Sequence, residues 1–479
     1  MAYDVTSIAA SDGSPTRVVI LGAGGRDFHV FNTRYRHDPS SRVVAFTAAQ
    51  IPHIEERRYP PVLSGSLYPE GIPVRPEAEL EDVIREHGID EAVFAYSDVS
   101  LDEVRAVRDR VERAGAVFRT YPVEATQLPV ARPCVAVCAV RTGCGKSAVS
   151  RHLVVALTDS TIRGSRSAGD VTRRGADDLR RGGDGTRVGV VRHPMPYGNL
   201  ERQVVQRFET LEDLDRQECT IEEMEEYEPH IRAGSVVYAG ADYSKVLGLA
   251  EFGSDVLLWD GGNNDTPFLR PDVLVTLLDP LRAGDELAYF PSRWNLENAD
   301  VLVITKTNRA SKEQIEAVRA SAREHNPEAT VVLGASPYEL DRPEEVEGKR
   351  VLVVEDGPTT THGGMGYGAG WLAAREAGAA EIVDPRPFGV GEIAEAFEEY
   401  PHLENVLPAL GYGADQLRDL QRTLAEADCD AVVVGTPIDL TRLLDIGKPT
   451  VRATYSYADA GEVALDGPVL QKLSVWEKA

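Results

Sequence analysis

Short apolar runs alternate with amphipathic segments through the first part of the chain. Apolar runs at 43–47, 92–96 and 117–121 are separated by helical patterns at 80–87 and 101–114. Because a buried strand followed by a helix is the repeating unit of an open parallel sheet, this pattern predicts a Rossmann-like domain with helices on both faces of the sheet.

The same alternation continues in two further series, which begin at 135–139 and at 351–355. They predict a P-loop NTPase-type α/β domain with a C-terminal α/β extension that completes or flanks its sheet. We therefore divide the chain into a flexible lead at 1–16, a Rossmann-like domain at 17–130, a P-loop NTPase-type domain at 131–345 with a mobile insertion at 160–187, and a C-terminal segment at 346–479.

The charge of the chain restricts its partners. Its 479 residues carry a formal net charge of −26, which disfavours nucleic acid and anionic membrane surfaces because like charges repel. Only eight of the 51 basic residues are lysine. An acidic, lysine-poor chain predicts a halophilic source, where salt screens the self-repulsion.

The remaining composition predicts a cytoplasmic protein. The five cysteines form no CxxC pair and no zinc-ligand spacing, which is typical of reduced thiols. No apolar stretch reaches the roughly 18 residues of a membrane span, and no basic-then-apolar leader opens the chain. Apolar runs at 432–435 and 440–444 favour a homodimer.

The segment 135–147, VAVCAVRTGCGKS, runs from an apolar strand into a Gly-Lys-Ser turn. We call residues 141–147 the phosphate loop, because glycines let backbone N–H groups surround phosphate, a lysine offers a point charge and a serine hydroxyl binds Mg²⁺. The loop departs from the full P-loop pattern at Val140, where a glycine is expected. The predicted nucleotide-binding residues are Gly143, Cys144, Gly145, Lys146, Ser147 and Ala148.

Polar residues that follow other predicted strands supply candidate partners for this loop. Asp260 ends the run VLLWD and is predicted to bind the metal together with Ser147. The glycines after it precede Asn263 and Asn264, which are candidate substrate-binding residues. Arg192 and His193 open a proline-rich turn at a strand end and, with Lys146 and Asp260, are the predicted catalytic residues.

The segment Lys306-Thr307-Asn308 stands where GTP-binding proteins carry Asn-Lys-x-Asp. Aspartate accepts two guanine N–H donors at once, and asparagine does not. The sequence therefore favours ATP over GTP, with Mg²⁺ as its ion.

Three further segments carry expectations. The glycine-rich run 356–370 is predicted to surround an anion, with Thr360 and His362 exposed as substrate-binding residues. The turn 22–29, GAGGRDFH, lacks the regular GxGxxG spacing, and Arg26 and His29 within it point to a phosphorylated substrate rather than NAD. The acidic block 222–228 is expected to be a solvated helix face.

Taken together, these motifs resemble those of the archaeal family of cyclic 2,3-diphosphoglycerate synthetases, some members of which are described only as GTPases. The resemblance runs over nearly the whole chain. It rests on GAGGRDFHVFN, AFTAAQIP, YPPVLSG, LYPEGIP, FAYSDVS, CAVRTGCGKS, RHPMPYGNL, WDGGNND, VEDGPTTTHGGMGYGAG, EIVDPRP and GTPIDL.

This resemblance implies an ATP-dependent ligase that closes an intramolecular phosphoanhydride in 2,3-diphosphoglycerate and releases ADP and phosphate. Arg26, His29, Arg192 and His193 would then hold the phosphates of the substrate. Three alternatives stay open: an ATPase or GTPase switch or metallochaperone, a nonenzymatic binding module, and a ligase that acts on another phosphorylated acid.

Overall fold

The computed structural model describes residues 13–48, 57–160, 186–194, 199–262, 264–361, 365–410, 414–436 and 438–474. Most of the predicted lead at 1–16 and almost all of the predicted insertion at 160–187 lie outside these residues. Two candidate substrate-binding residues, Asn263 and His362, lie outside them as well.

The first sheet has the strand order β3-β4-β2-β1-β5-β7 and is parallel except for the β3–β4 pair. Side chains of β1 and of helix α1 are buried in a shared core. The elements are β1 (Thr16–Leu21), α1 (Arg26–Arg34), β2 (Ser41–Ala48), β3 (Arg58–Tyr59), α2 (Pro61–Ser64), β4 (Ile72–Pro76), α3 (Leu80–His87), β5 (Glu91–Phe94), β6 (Val99–Ser100), α4 (Leu101–Ala114) and β7 (Val117–Arg119).

The second sheet has β8 near its centre, and all six residues of that strand are buried. Its described order is β10-β11-β9-β12-β8-β13-β15-β16, followed by one strand from the end of the chain. The elements are β8 (Cys134–Ala139), α5 (Lys146–Asp159), β9 (Val188–Arg192), β10 (Gln206–Phe208), α6 (Leu211–Arg216), α7 (Ile221–Arg232), β11 (Val236–Ala239), α8 (Tyr243–Gly253), β12 (Val256–Asp260), β13 (Val273–Leu278), α9 (Asp285–Ala288), β14 (Tyr289–Phe290), α10 (Ser292–Asn298), β15 (Val301–Ile304), α11 (Lys312–His325) and β16 (Thr330–Ala335).

A third sheet is built around two parallel strands, β18 and β21, and is separate from the second. The elements are β17 (Tyr338–Leu340), β18 (Arg350–Asp356), α12 (Gly357–Thr360), α13 (Ala369–Glu376), β19 (Glu381–Ile382), α14 (Glu392–Glu399), β20 (Leu407–Ala409), α15 (Ala414–Glu426), β21 (Ala431–Val434), β22 (Thr450–Tyr455), β23 (Ala458–Asp459) and α16 (Asp466–Leu473). Short β23 leaves this sheet and pairs antiparallel with β16 of the second sheet.

The strand order places the phosphate loop beside the predicted carboxylate. Strand β8 pairs in parallel with β12 on one side and with β13 on the other. Because parallel strands end at the same edge of a sheet, the loop after β8 and Asp260 at the end of β12 meet in one crevice.

The N-terminal domain reaches this crevice through a two-stranded ladder in which β6 pairs with β14. None of the helices in the described part of the chain is long and apolar enough to cross a membrane.

Candidate functional site

The phosphate loop forms an open turn at the start of a helix. Gly143 and Gly145 have φ angles of 80° and 93°, a backbone region in which glycine is favoured. Helix α5 begins at Lys146. Within the described part of the chain, the backbone N–H groups of Gly143, Gly145 and Lys146 have no hydrogen-bond partner. Unpaired N–H groups at a helix N-terminus are the structural basis of phosphate binding.

The Asp260 carboxylate contacts three side chains that face this turn, those of Lys146, Arg192 and His230. The Lys146 Nζ atom donates to Asp260 Oδ1 at 2.7 Å and also to the carbonyl of Gly261. Arg192 donates to the other carboxylate oxygen, which also lies 2.9 Å from His230 Nε2. Asp260, Arg192 and His230 are all almost fully buried. The carboxylate thus fixes the positions of two cations next to the turn.

Burial and charge oppose each other in this cluster. Burial tends to raise the pKa of Asp260, but the charges of Arg192 and Lys146 and the hydrogen bond with His230 hold that pKa well below its usual range. Burial lowers the pKa of Lys146, although Asp260 opposes the shift. The pKa of His230 is also lowered by burial, with Asp260 again opposing. Asp260 therefore stays ionised across the physiological pH range.

The start of the phosphate loop is held by the N-terminal domain. Asp98, in the connection between β5 and β6, accepts hydrogen bonds from Arg141 Nε at 2.7 Å and from the Thr142 hydroxyl at 2.6 Å. The backbone N–H of Thr142 donates to the same carboxylate at 3.3 Å. A second domain thus contacts the turn directly.

The opposite side of the loop is held by its own domain. The Arg282 guanidinium donates to the Thr142 carbonyl at 2.7 Å. The Thr305 hydroxyl donates to the Cys144 carbonyl at 2.8 Å. Burial, partly offset by Arg282, raises the pKa of the Cys144 thiol to about 11. The carbonyl groups of Thr142 and Cys144 are therefore hydrogen-bonded, whereas the N–H groups of Gly143 and Gly145 have no partner among the described residues.

The charge pattern of the acidic block 222–228 predicts a solvated helix face. The structure contradicts this prediction, because most of the described glutamates of the block, on helix α7, are buried. Glu223, Glu225 and Glu228 are buried, and Glu226 contacts Arg192. Glu228 also forms an ion pair with Arg442 at 3.2 Å. The helix packs between the second and third sheets, where arginines from both sides compensate its carboxylates.

Two predicted residues near Asp260 occupy structural positions. The His193 ring packs against Gly262 and Gly25, and its buried Nδ1 atom has no hydrogen-bond partner among the described residues. Burial, with the charges of Arg192 and Lys146, lowers the pKa of His193 to about 3, so the ring is neutral at physiological pH. Asn264 is fully buried and donates to the Ser292 hydroxyl at 2.7 Å.

The N-terminal glycine turn is closed by a side chain of its own. The Asp27 carboxylate accepts hydrogen bonds from the backbone N–H groups of Gly24, Gly25 and Phe28 at 2.6 to 3.1 Å. Burial, opposed by these N–H groups, raises the pKa of Asp27 to about 6. The position where a phosphate would bind is thus occupied by the chain.

The two basic residues of that turn are also engaged. Arg26 donates to the Thr266 hydroxyl and lies 3.5 Å from Asp265. His29 stacks on Phe268 with ring centroids 4.2 Å apart and contacts the Thr126 carbonyl at 2.8 Å. Burial lowers the pKa of His29 to about 3. Both residues join the first two domains through contacts within the chain, and their role in substrate binding stays a prediction.

In the glycine-rich segment after β18, Thr360 is buried rather than exposed. Its hydroxyl donates to the carbonyls of Asp356 and Gly357 at 2.8 and 3.1 Å, because the segment forms the short helix α12. Glu355, which precedes Asp356 in β18, accepts a hydrogen bond from the Trp371 N–H at 2.7 Å. Burial, opposed by backbone N–H groups, raises the pKa of Glu355 to about 7.

The third sheet reaches the phosphate loop through Tyr455. The Arg151 guanidinium lies over its ring, 5.5 Å from the centroid, and the electrostatic neighbours of Tyr455 include Asp356, Glu225 and Ser147. Arg151 also donates to the Tyr455 carbonyl at 2.9 Å. The carboxyl edge of the third sheet therefore lies next to the start of helix α5.

The segment 306–308, which stands where GTP-binding proteins carry Asn-Lys-x-Asp, forms hydrogen bonds with neighbouring elements. Lys306 donates to Asp279 at 2.7 Å. The Asn308 amide donates to the Ser336 carbonyl at 3.3 Å and accepts from the Ser336 N–H at 3.0 Å. The carbonyl oxygen and the amide nitrogen of the Asn308 side chain thus both contact Ser336, and the preference for ATP over GTP stays a prediction.

Sequence reasoning did not identify Asp98, His230 or Tyr455 as site residues. Asp98 lies in FAYSDVS directly after a predicted strand, a placement that signals a site edge. His230 follows Pro229 within a helix, and Tyr455 ends a strand. No spacing along the chain connects these residues to the phosphate loop, because three separate elements bring them together.

A strand that ends in a glycine turn, a helix that begins at the lysine of that turn and a carboxylate on the next strand are typical of α/β proteins that bind nucleoside triphosphates. The chain is 51% identical over 462 residues to arginine synthetase ArcE of Thermococcus kodakarensis, with 96% of this chain and 97% of the relative covered. This chain belongs to the family of that archaeal synthetase. No family model matches it. The cyclic 2,3-diphosphoglycerate synthetase assignment and the halophilic source stay predictions.

Solved structures give only distant similarity. LpxK of Aquifex aeolicus, in complex with ATP, is 11% identical with a TM-score of 0.40, covering 78% of this chain and 95% of that one. HypB of Archaeoglobus fulgidus is 13% identical with a TM-score of 0.19, covering 42% and 80%. These scores carry no argument about the site.

Proposed function

We propose that this protein is an ATP-dependent ligase whose product is arginine. The observation that carries the proposal is the 51% identity, over almost the whole of both chains, to a protein named arginine synthetase. The open phosphate loop supports the nucleotide half of the reaction, because its N–H groups and Lys146 supply the donors that nucleotide phosphates need.

The chemistry of arginine formation explains why a nucleotide is required. The ureido oxygen of citrulline is a poor leaving group, but transfer of the γ-phosphoryl group of ATP to it creates a good one. Attack of ammonia on the same carbon then expels phosphate. Citrulline, ammonia and ATP thus give arginine, ADP and phosphate with all atoms balanced.

The residues around the loop suit the first of these steps. Lys146 and the free N–H groups of Gly143 and Gly145 would bind the phosphates, and Arg192 would offset charge on the transferred group. Asp260 holds both cations in place. Because Lys146 and Arg192 are held in place before the substrate binds, the reaction requires less reorganisation of these charges.

The residues present fit Mg²⁺ at Ser147 rather than at Asp260. The Ser147 side chain lies at the start of helix α5 and has the hydroxyl that Mg²⁺ uses in phosphate loops. Three N–H-bearing partners already surround the buried Asp260 carboxylate, which disfavours direct metal binding there. Mg²⁺ bound at Ser147 would neutralise part of the negative charge of the nucleotide phosphates.

The acceptor site is proposed at the carboxyl edge of the third sheet. Here β18 and β21 are adjacent while the chain leaves β18 towards β19 and β20 on the other side, which defines a topological switch point. Glu355 and Asp356 end β18 at this edge, and Asp356 and Glu225 are electrostatic neighbours of Tyr455. Carboxylates favour the ammonium or guanidinium of an amino acid and disfavour a polyphosphate.

The second candidate is the cyclisation of 2,3-diphosphoglycerate, which the motifs favour. It shares ATP, Lys146 and the phosphate loop with the first, but it requires basic groups for a polyanionic acceptor. Among the residues predicted to supply these groups, Arg26 pairs with Asp265 and Arg192 pairs with Asp260. The charge at the acceptor edge therefore favours arginine formation.

The test is to incubate the purified protein with ATP and Mg²⁺ and either citrulline with ammonium or 2,3-diphosphoglycerate. Amino-acid analysis detects arginine, and phosphorus NMR detects a phosphoanhydride other than those of ATP and ADP. We expect arginine in step with ADP, loss of both in Lys146→Ala, and normal turnover in the exposed control Lys312→Ala. A cyclic phosphoanhydride without arginine would replace the first candidate by the second, and ATP loss without either product would favour the switch.

A further inference from the structure

We propose that Asp98 of the N-terminal domain is a positioning residue for the phosphate loop, and that nucleotide affinity depends on its carboxylate. This inference rests on the proposed nucleotide binding. It assigns a part of the nucleotide site to a domain that carries none of the residues of that loop.

Both carboxylate oxygens of Asp98 accept hydrogen bonds from two adjacent residues of the loop, and Oδ1 also lies 3.5 Å from the side-chain amide nitrogen of Asn264. Oδ1 accepts from Arg141 Nε, and Oδ2 accepts from the hydroxyl and the backbone N–H of Thr142. Its side chain is only 9% exposed. Charged hydrogen bonds of this kind, shielded from water, are stronger and more directional than neutral ones.

The departure of this loop from the common pattern creates the need for such a partner. Val140 stands where a glycine is expected, and the next two positions carry the side chains of Arg141 and Thr142, both buried. A buried guanidinium requires compensation. Arg141 receives it from Asp98 and from Asp285, each at 2.7 Å.

The unusual backbone conformation of Asp98 is held by a hydrogen bond to an element of the second domain. Asp98 has a φ angle of 59°, a left-handed conformation that is uncommon for a residue other than glycine. Its N–H donates to the Phe290 carbonyl at 2.9 Å, and the following residues form the β6–β14 ladder with Tyr289 and Phe290. Elements of two domains therefore cooperate to present this carboxylate to the loop.

Two parts of the loop therefore have different roles. The N–H of Thr142 is taken by Asp98, whereas those of Gly143, Gly145 and Lys146 stay unpaired in the described part of the chain. Asp98 fixes the residue immediately before the open donors. Loss of its carboxylate would let the loop relax and would weaken phosphate binding without removing any phosphate-binding group.

The experiment measures dissociation constants of the full-length protein for fluorescent ATP and ADP analogues with Mg²⁺. Asp98→Asn keeps the size of the side chain but places an amide donor against N–H and O–H donors. We expect about tenfold weaker binding, equal to about 1.4 kcal/mol. Asp102→Asn, at an exposed residue of the same domain paired only with Arg105 in the described structure, is the matched control and should leave binding unchanged.

Variants at Thr142 separate positioning from general stability. Thr142→Val removes the hydroxyl donor and should weaken binding about threefold, while Thr142→Ser keeps the donor and should bind like the wild type. In the double variant Asp98→Asn/Thr142→Val, the second change should add almost nothing, because the contact is already lost. The Thr142 pair also provides the test if Asp98→Asn does not fold.

Each contrary result has a definite meaning. Wild-type affinity in Asp98→Asn, or a lower melting temperature with unchanged affinity, overturns the positioning role. Equal affinity of Thr142→Val and Thr142→Ser, or full additivity in the double variant, overturns it as well. If the wild type and Lys146→Ala both fail to bind nucleotide, the proposed function falls and this inference with it.

Discussion

The two glycine turns of this molecule look alike in sequence but differ in what occupies them. Each follows a buried strand, β1 or β8, and each precedes a helix, α1 or α5. In the first turn, Asp27 takes the N–H groups of Gly24 and Gly25. In the second, the corresponding donors have no partner within the described part of the chain. A glycine turn is thus available to an anion only where the chain supplies no anion of its own.

The basic residues of the two turns, Arg26 and Lys146, also differ in whether they lie beside donors that an anion could use. Arg26 is paired with Asp265 at the interface between the first two domains. Lys146 is paired with Asp260 beside the open donors, and burial lowers its pKa. An incoming phosphate would compete for Lys146 at a site where the N–H groups of Gly143 and Gly145 have no partner among the described residues. Beside Arg26, the N–H groups of Gly24 and Gly25 are already bound by Asp27.

The largest effect that separates the turns is expected from Lys146→Ala. Removal of this charge should weaken nucleotide binding or turnover at least ~100-fold, the usual scale for losing a preorganised donor to developing charge. Nucleotide titration and turnover measurements provide the check. The exposed control Lys312→Ala should behave like the wild type, and a Lys146→Ala protein that binds ATP normally would contradict the difference between the turns.

The next effect is a contrast in stability between Gly22→Ala and Gly145→Ala. At Gly22, φ is +123° and a Cβ atom would lie 2.5 Å from Asp27 Oδ2, so strain and a clash should together cost about 3 kcal/mol. At Gly145, φ is +93° and the nearest atom, Ser336 Oγ, is 4.0 Å away, so strain alone should cost about 1 kcal/mol.

Denaturant unfolding of both variants measures this contrast, and nucleotide titration complements it. Gly145→Ala should weaken nucleotide binding, while Gly22→Ala should leave the affinity of the folded protein near that of the wild type. A greater loss of stability in Gly145→Ala than in Gly22→Ala would show that the first turn is not closed by Asp27.

A smaller, pH-dependent effect is expected from Asp27. Its folded-state pKa is raised from 3.8 to about 6 by burial, so the folded state holds the proton more tightly than the unfolded state. The resulting stability is present at low pH and is lost as the pH rises from about 4 to about 6. Relative to Asp27→Asn, the wild type should lose roughly 1–3 kcal/mol across this window.

The measurement is denaturant unfolding of the wild type and Asp27→Asn at about pH 4, 5 and 7. Asp102→Asn, which removes an exposed carboxylate of the same domain, serves as the control. A constant difference between the wild type and Asp27→Asn would place the titration elsewhere.

The smallest effect on catalysis is expected from Arg26→Ala. Because Arg26 pairs with Asp265 and Thr266, its removal should reduce stability but change the KM for the acceptor less than about twofold. Steady-state kinetics on the folded variant provide the check. A large rise in KM would restore the substrate-binding role that the sequence assigned to this residue.

Local patterns were sufficient to predict much of the fold. The apolar runs at 43–47, 135–139 and 351–355 fall within β2, β8 and β18, because each is a continuous, largely apolar segment of strand length. The phosphate loop was also readable, since its glycines, lysine and serine lie together in the sequence.

The remaining features depend on contacts between distant segments. Asp27 lies within the first turn, yet only its hydrogen bonds show that it fills that turn. The acidic block looks solvated until arginines from other elements are placed beside it. Thr360 appears exposed because a glycine-rich sequence gives no sign of the short helix that buries it. Charge compensation and burial are tertiary properties, so composition alone does not predict them.

The return of the chain through β23 makes the second domain discontinuous. After building the third sheet, residues 457–473 rejoin the second core through Tyr457, Leu465, Val469 and Leu473, and β23 covers the β16 edge. During synthesis, the nucleotide-binding half therefore cannot complete its core until residues 457–473 have been made. A protein shortened at residue 345 would leave an uncovered strand edge and apolar surface, which favour aggregation over function.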